Sequence, residues 1–179
     1  MIYRLSDEYY VRPLAPADLD GPYPGWFEDQ DVCRYNSHGK LFRTRAYFRE
    51  YLDSLKLDDR VVWAICHERD GHVGNISLQE ISPIDRTAEF AVLIGDKRHW
   101  GKSLGLLAGR QLLAHGFRKL NLERVYCGTA ATNEGMKKLA AKLGMTHEGT
   151  RRQQLFLDGR RVDVEEFGIL RAEFEAHNR

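Results

Sequence analysis

The stretch from Thr87 to Leu120 constrains the fold more than any other part of the chain. It begins as a largely apolar run, Thr87 to Ile94, of the kind a central strand needs on both faces. A polar loop with a glycine at each end follows, Gly95-Asp96-Lys97-Arg98-His99-Trp100-Gly101. Ser103 to Leu120 then reads as a helix, with Leu106, Leu113, Phe117 and Leu120 on one stripe. A helix that starts this way presents unpaired backbone N–H groups and the positive end of its dipole. A diphosphate can dock there on backbone donors alone. Gly101 and Gly105 allow close approach, and Lys102 adds charge. The loop has neither the G-x-x-x-x-G-K-[ST] spacing of a Walker loop nor the G-x-G-x-x-G of a Rossmann fingerprint. Taken alone, it is equally an ordinary strand-to-helix turn.

The elements around it define a fold class. Val11 to Leu14 reads as a short strand, and Thr44 to Leu57 as a helix with Thr44 as N-cap. Val61 to His67 and His72 to Gln79 pair as a hairpin across Arg69-Asp70-Gly71. After the long helix come a strand at Arg124 to Thr129 and a helix from Asn133 to Leu143, stopped by Gly144. His147 to Leu157 and Arg160 to Leu170 form a second hairpin across Asp158-Gly159. An antiparallel meander feeding a strand-helix-strand-helix unit predicts an α+β fold of three layers. Its central sheet is mostly antiparallel and twisted, with about six or seven strands and helices on both faces. The 179 residues are expected to form a single domain, 1–179.

Charge excludes some partners. Lys plus Arg number 27 and Asp plus Glu 26, so no basic excess points to nucleic acid or an anionic membrane. No apolar run is long enough to span a bilayer, and Met1 to Tyr10 lacks the apolar core of a secretory leader. Cys33, Cys66 and Cys127 fit neither a disulfide framework nor a metal knuckle, so a cytoplasmic setting is the simplest reading. The seven histidines form no metal-ligand spacing, so no metal is expected, and His99 reads as a surface imidazole.

Three ordered segments carry a family resemblance. Trp100-Gly101-Lys102-Ser103-Leu104-Gly105 resembles the acetyl-CoA signature [Q/R]-x-x-G-x-[G/A] of the GNAT acyltransferases. Asn133 to Met145 is similar to their N-x-x-[SA]-x-x-L-x-x-K-x-G-F. His147 to Leu170, with Glu148-Gly149, Asp158-Gly159 and Asp163, is similar to the tail of the branch that acetylates ribosomal-protein N-termini. The resemblance implies an acetyl-CoA-dependent N-acetyltransferase working by direct attack of an amine on the thioester. Leu93 and Ile94 would offer backbone N–H groups to pantetheine and the thioester carbonyl. Trp100, Gly101, Lys102, Ser103, Leu104 and Gly105 would hold the diphosphate, and Asn133 would contact CoA or the active-site turn. Ser103 departs from the usual central glycine, and its Cβ restricts the loop if positive φ is needed. Ala140 stands where many members carry the tyrosine that protonates the leaving thiolate.

An ammonium acceptor must lose a proton before attack. Glu89, one strand length before the loop, is the first candidate base; its alternative is a structural carboxylate paired with an arginine such as Arg86. Tyr126 is a candidate proton donor to the thiolate, or else a packed aromatic.

Gly21 to Gly39 concentrates aromatic and hydrogen-bonding residues. Trp26, Arg34, Tyr35, Asn36 and His38, with Asn75 and Ser77 from the hairpin, suit a small-molecule amine with a sugar or base, and Arg34 can meet a phosphate. The alternative is a packed proline-rich loop with Trp26 and Phe27 as core anchors. The segment resembles acetyltransferases of surface-polysaccharide amino-sugar pathways, which implies an amino-sugar acceptor, free or nucleotide-linked. A protein N-terminal amine, as in the ribosomal branch, an antibiotic or polyamine amine, and a non-catalytic CoA-binding module are the alternatives. The expected assembly is a monomer or homodimer.

Overall fold

Alternation along the third strand shows how the molecule is layered. In Val61–His67, Trp63 and Ile65 point into one apolar core, while Val62, Ala64 and Cys66 point into another. A strand buried on both faces must lie mid-sheet, and period-two alternation sends its neighbours to opposite layers. The computed structural model of the chain describes residues 1–41, 43–55 and 59–177.

One eight-stranded sheet runs through the fold. Its strands are β1 (Tyr3–Arg4), β2 (Tyr9–Pro13), β3 (Val61–His67), β4 (Gly71–Ser82), β5 (Thr87–Ile94), β6 (Arg124–Ala130), β7 (Thr146–Leu157) and β8 (Arg160–Leu170). They lie in the order β1-β2-β3-β4-β5-β6-β8-β7, and every pair is antiparallel except β5 with β6. The sheet therefore exceeds the expected six or seven strands by β1. Two residues are too few to show alternation, so this edge strand left no pattern to read.

Helices α2 (Leu104–Lys119), α3 (Glu134–Lys142) and α4 (Arg171–His177) pack in the larger core, with Leu112, Leu113, Phe117, Ala140 and Phe174 among its buried side chains. Helix α1 (Arg45–Ser54) and the loop 14–32 cover the other face, with Trp26, Phe48 and Leu52 in the second core. Thr44 caps α1 as expected, its hydroxyl accepting from the Tyr47 amide. The predicted end of that helix, 56–57, lies outside the described residues. Helix α4 was not anticipated: its seven residues are too short to show helical periodicity. All three cysteines are buried free thiols. Among the described residues, no helix is long and apolar enough to cross a membrane.

Strands β5 and β6 pair only from Thr87, Ala88 and Glu89 to Arg124, Val125 and Tyr126. Beyond that rung they diverge. The edge of β5 from Phe90 to Ile94 thus has no strand partner on that side, and alternate backbone amides face a cleft.

Candidate active site

The cleft opens onto the start of α2. Gly101 takes φ +75°, a conformation glycine adopts without penalty, and Ser103 takes φ +58° although it carries a Cβ. The Ser103 side chain does not cap the helix. Among the described residues, the amides of Leu104 and Gly105 have no protein acceptor. The helix thus begins with free donors and a positive dipole end beside Lys102. The Ser103 departure is resolved by a serine accepting the left-handed conformation.

A cavity of about 680 Å³ occupies this region. It is lined by Val92, Leu93 and Ile94 from β5, residues 99–106 from the loop and α2, and Asn133, Met136 and Leu139 at α3. Asn133 is the N-cap of α3, its Oδ1 accepting from the Met136 amide while its Nδ2 donates to Thr129. Gly105 sits where a Cβ would press on Leu139, so glycine lets α2 and α3 approach. Trp100 folds over the loop and donates from Nε1 to the Ile94 carbonyl, 2.8 Å. Lys97 ties the same loop to residues 29–31 through Asp29 at 2.8 Å and Asp31 at 3.0 Å.

A second cavity, about 210 Å³, lies on the α1 side of the sheet. Phe27, Tyr47 and Tyr51 supply aromatic walls, and Asn36, His38, Arg43, Asn75, Ser77 and Gln79 supply polar groups. Asn75 is oriented from behind: His72 Nε2 lies 2.7 Å from its Oδ1. Arg43 lies over the Tyr47 ring at 4.0 Å, and its Nε is buried without a hydrogen-bond partner. Val92 and Leu93 line both cavities, so the two meet on the free edge of β5.

Glu89 occupies the last paired rung, beside Gln79 on one side and Tyr126 on the other. It shares a strand face with Ala91 and Leu93, which line the second cavity, two and four residues further on. Burial raises its carboxyl above the ordinary range; Glu80 and Glu166 add to the rise and Arg151 opposes it. Arg86, the predicted partner, instead pairs with Glu123 at 2.6 Å. The Tyr126 hydroxyl donates to Glu80 at 3.0 Å, and burial together with that carboxylate pushes its pKa up to about 12.

The structure divides the predicted acceptor residues. Asn36, His38, Asn75 and Ser77 line the second cavity, whereas Arg34 and Tyr35 line the larger one. Trp26 lines neither: it is only 6% exposed, with its indole lying against the Gly95 backbone. The apolar packing of the loop 14–32 takes the ring inward, as the core-anchor alternative had it. His99 is not a surface imidazole either, but a buried one at 2% exposure. Tyr126 sits beside Glu89, yet outside both linings. Arg43, Tyr47 and Tyr51 were missed. Tyr47 and Tyr51 lie four residues apart on one face of α1, where helical spacing marks core and cavity wall alike.

A splayed mixed sheet, a glycine-marked loop and an open helix start at the mouth of the splay define an acyl-CoA-dependent transferase. Comparison with known proteins agrees. Residues 9–146 match the Acetyltransferase (GNAT) domain family, and the chain belongs to that family: it is an acetyl-CoA-dependent N-acetyltransferase. A Bacillus subtilis protein named "Probable N-acetyltransferase YjcK" is 27% identical over 173 residues, covering 93% of this chain and 96% of its own length. The Vibrio cholerae spermidine N(1)-acetyltransferase is 31% identical over 102 residues, 57% of this chain and 58% of that protein. A crystal structure of spermidine N-acetyltransferase from Vibrio cholerae with CoA and spermine superposes with a TM-score of 0.85. That match has 22% identity and covers 95% of this chain and 99% of the other.

Proposed function

We propose that the chain transfers acetyl from acetyl-CoA to the primary amine of a small polar acceptor held in the second cavity, with an amino sugar as the favoured class. The observation that carries the reading is the meeting of the two cavities at Val92 and Leu93, three and four residues along the strand from Glu89. Acetyl-CoA supplies an activated thioester. The Leu104 and Gly105 amides with Lys102 are suited to its diphosphate. The amides on the free edge of β5, at positions such as Leu93 and Ile94, are suited to pantetheine and to the thioester carbonyl. Glu89 takes the proton from the incoming ammonium, directly or through a water. Its raised carboxyl fits that work, since a base is most effective when its affinity for protons approaches that of the medium. Tyr126, already committed to Glu80, is a neighbour that shapes the acidic end of the site. Glu80, Glu89 and Glu166 favour the approach of a cation there.

The second cavity argues for the acceptor class. Aromatic walls suit the C–H faces of a sugar, and Asn36, Asn75, Ser77 and Gln79 suit its hydroxyls. At about 210 Å³ it is smaller than the roughly 300–1,000 Å³ of pockets for drug-sized ligands, so a monosaccharide-sized amine fits this reading. Arg43, with its unpartnered buried Nε, can meet a phosphate carried by a nucleotide-linked sugar. A second reading, a polyamine, is favoured by the three glutamates and by the substrate named for the spermidine acetyltransferases. Carboxylates are the strongest partners for a polyamine's further ammonium groups, and none lines the second cavity among the described residues. A thiol-release assay with acetyl-CoA separates these readings. The panel is hexosamines, nucleotide-linked amino sugars, spermidine and short peptides with free N-termini. Turnover with the sugars is expected, with mass spectrometry showing one acetyl on the amine. Turnover confined to spermidine would replace the amino-sugar reading, and turnover confined to peptides would move the acceptor to protein N-termini. Release with no amine at all would remove the acceptor role.

A further inference from the structure

At the rim of the larger cavity, which His99 helps to line, three ligand-type side chains converge where the β3–β4 turn meets the loop before α2. His67 ends β3, Asp70 lies in the turn, and His99 belongs to the loop. Asp70 Oδ2 is 2.8 Å from His67 Nδ1 and 3.2 Å from His99 Nε2, and all three atoms lie within 4.8 Å of one another. Nothing in acetyl transfer uses them.

Their hydrogen bonding leaves a gap. His99 is 2% exposed, and its Nε2 is buried with no hydrogen-bond partner. The Asp70 oxygen is near enough but lies off the direction of a ring N–H. On the far side, His99 Nδ1 is 2.8 Å from the hydroxyl of buried Tyr9. The Asp70 backbone N–H points at His67 Nδ1, 3.2 Å away, so that nitrogen offers a lone pair towards the turn. With the proton of His99 on Nδ1, its Nε2 lone pair, the Asp70 carboxylate and the His67 Nδ1 lone pair face the same space, the last engaged only by the Asp70 amide N–H at 3.2 Å, a contact that a bound ion would replace. Arg98 touches only the other carboxylate oxygen, at 3.6 Å.

We propose that His67 Nδ1, Asp70 Oδ2 and His99 Nε2 form a divalent metal site suited to Zn²⁺. Two imidazoles and one carboxylate are a zinc donor set, with the fourth tetrahedral position left for water. Bonds of about 2.0–2.2 Å in tetrahedral geometry separate ligand atoms by roughly 3.3–3.5 Å; the two Asp70 spacings, 2.8 and 3.2 Å, lie close to that, and the two imidazoles, within 4.8 Å of each other, would draw together on the ion. With Nε2 on the ion, His99 Nδ1 would carry the ring proton and donate it to the Tyr9 hydroxyl 2.8 Å away, the outer-shell contact such ligands ordinarily have. The site is a staple: it ties the β3–β4 turn to the loop that leads into α2. Sequence spacing concealed it, since His99 lies a whole hairpin and strand away from His67 and Asp70.

The test uses the full chain, stripped with EDTA, dialysed and titrated calorimetrically with Zn²⁺ and spectroscopically with Co²⁺. About one equivalent per chain, visible Co²⁺ absorption of tetrahedral intensity, and a higher melting temperature with Zn²⁺ are expected. Asp70→Asn should weaken Zn²⁺ binding at least about tenfold and abolish the thermal shift. Asp70 is in a turn, so this variant remains interpretable if His99→Gln fails to fold. Two results overturn the proposal: a stripped wild-type chain that takes up neither ion, in which case a proton on His67 closes the cluster, or Asp70→Asn binding Zn²⁺ as wild type does.

Discussion

Two residues give the readings above a measurable signature: Glu89 through the proposed proton transfer, and Ser103 through its left-handed backbone at the helix start. Glu89→Gln is expected to lower kcat by about 10²–10⁴ while leaving CoA affinity unchanged, as loss of a general base does. In the wild type, kcat/KM should rise with pH through a value above the ordinary glutamate range, and that limb should vanish in the variant. The sign for stability is opposite to that of a salt-bridged carboxylate. Burial, then Glu80 and Glu166, raise the folded-state value, so the folded chain holds the proton more tightly. The favourable contribution is present below the unfolded value of 4.5 and is lost as pH rises through the folded one. Glu89→Gln should therefore melt higher than wild type at pH 7 and equally at pH 4; a lower melting temperature at pH 7 would remove the buried-carboxylate argument. Ser103 holds φ +58° without a side-chain hydrogen bond to the helix start. Ser103→Gly is expected to stabilise by up to about 1 kcal/mol, the unfolded-chain entropy of glycine offsetting part of the relief. Ser103→Val should destabilise, because β-branching suits φ > 0 poorly; thermal unfolding of the pair checks both. Glu89 was legible because a carboxylate within an otherwise apolar strand has few bland roles. Its neighbours Glu80 and Glu166 were not, since they reach it only through strand register.

At the scale of elements, the loop before α2 works because other elements hold it. Trp26 lies on Gly95 so closely that a Cβ there would stand 1.9 Å from the indole. Gly95→Ala must displace either the loop or the ring. A loss of about 1–3 kcal/mol is expected, together with weaker CoA binding, measured by denaturant unfolding and by titration. Unchanged CoA affinity would mean that the open helix start does not depend on this packing. The long helices, the hairpins and the strand-to-helix turn were legible because each carried many periodic residues or a strong turn pair such as Asp158-Gly159. Trp26 illustrates what was not: aromatic residues in a loop look alike in sequence whether they face a ligand or a backbone. Only the approach of β5 to the loop 14–32 decides between them. Arg34 and Tyr35 fall on the cofactor side for the same kind of reason, since Lys97 draws residues 29–31 towards the loop at α2.

Across the whole molecule, one sheet carries two separate binding problems on opposite sides of a split. The larger cavity opens where β5 and β6 diverge; the smaller is built by α1 and the loop 14–32 on the other layer. They meet only at Val92 and Leu93, so each can be blocked without closing the other. Ala91 lines the smaller cavity and not the larger, and its side chain shares a face with Glu89 and Leu93. Ala91→Phe would fill much of a space of about 210 Å³ while leaving the Leu104 and Gly105 amides and Lys102 untouched. CoA affinity measured by titration is expected to stay within about twofold of wild type, since the altered side chain lies remote from the diphosphate cradle. Amine-dependent thiol release should fall by at least about a hundredfold, because acceptor positioning is worth that much when the reacting atoms shift by about 1 Å. A variant that lost CoA binding in parallel would show one continuous site rather than two joined ones. A variant that kept full turnover would place the amine elsewhere along the cleft, beyond Glu89 and towards the Arg151–Glu166 pair.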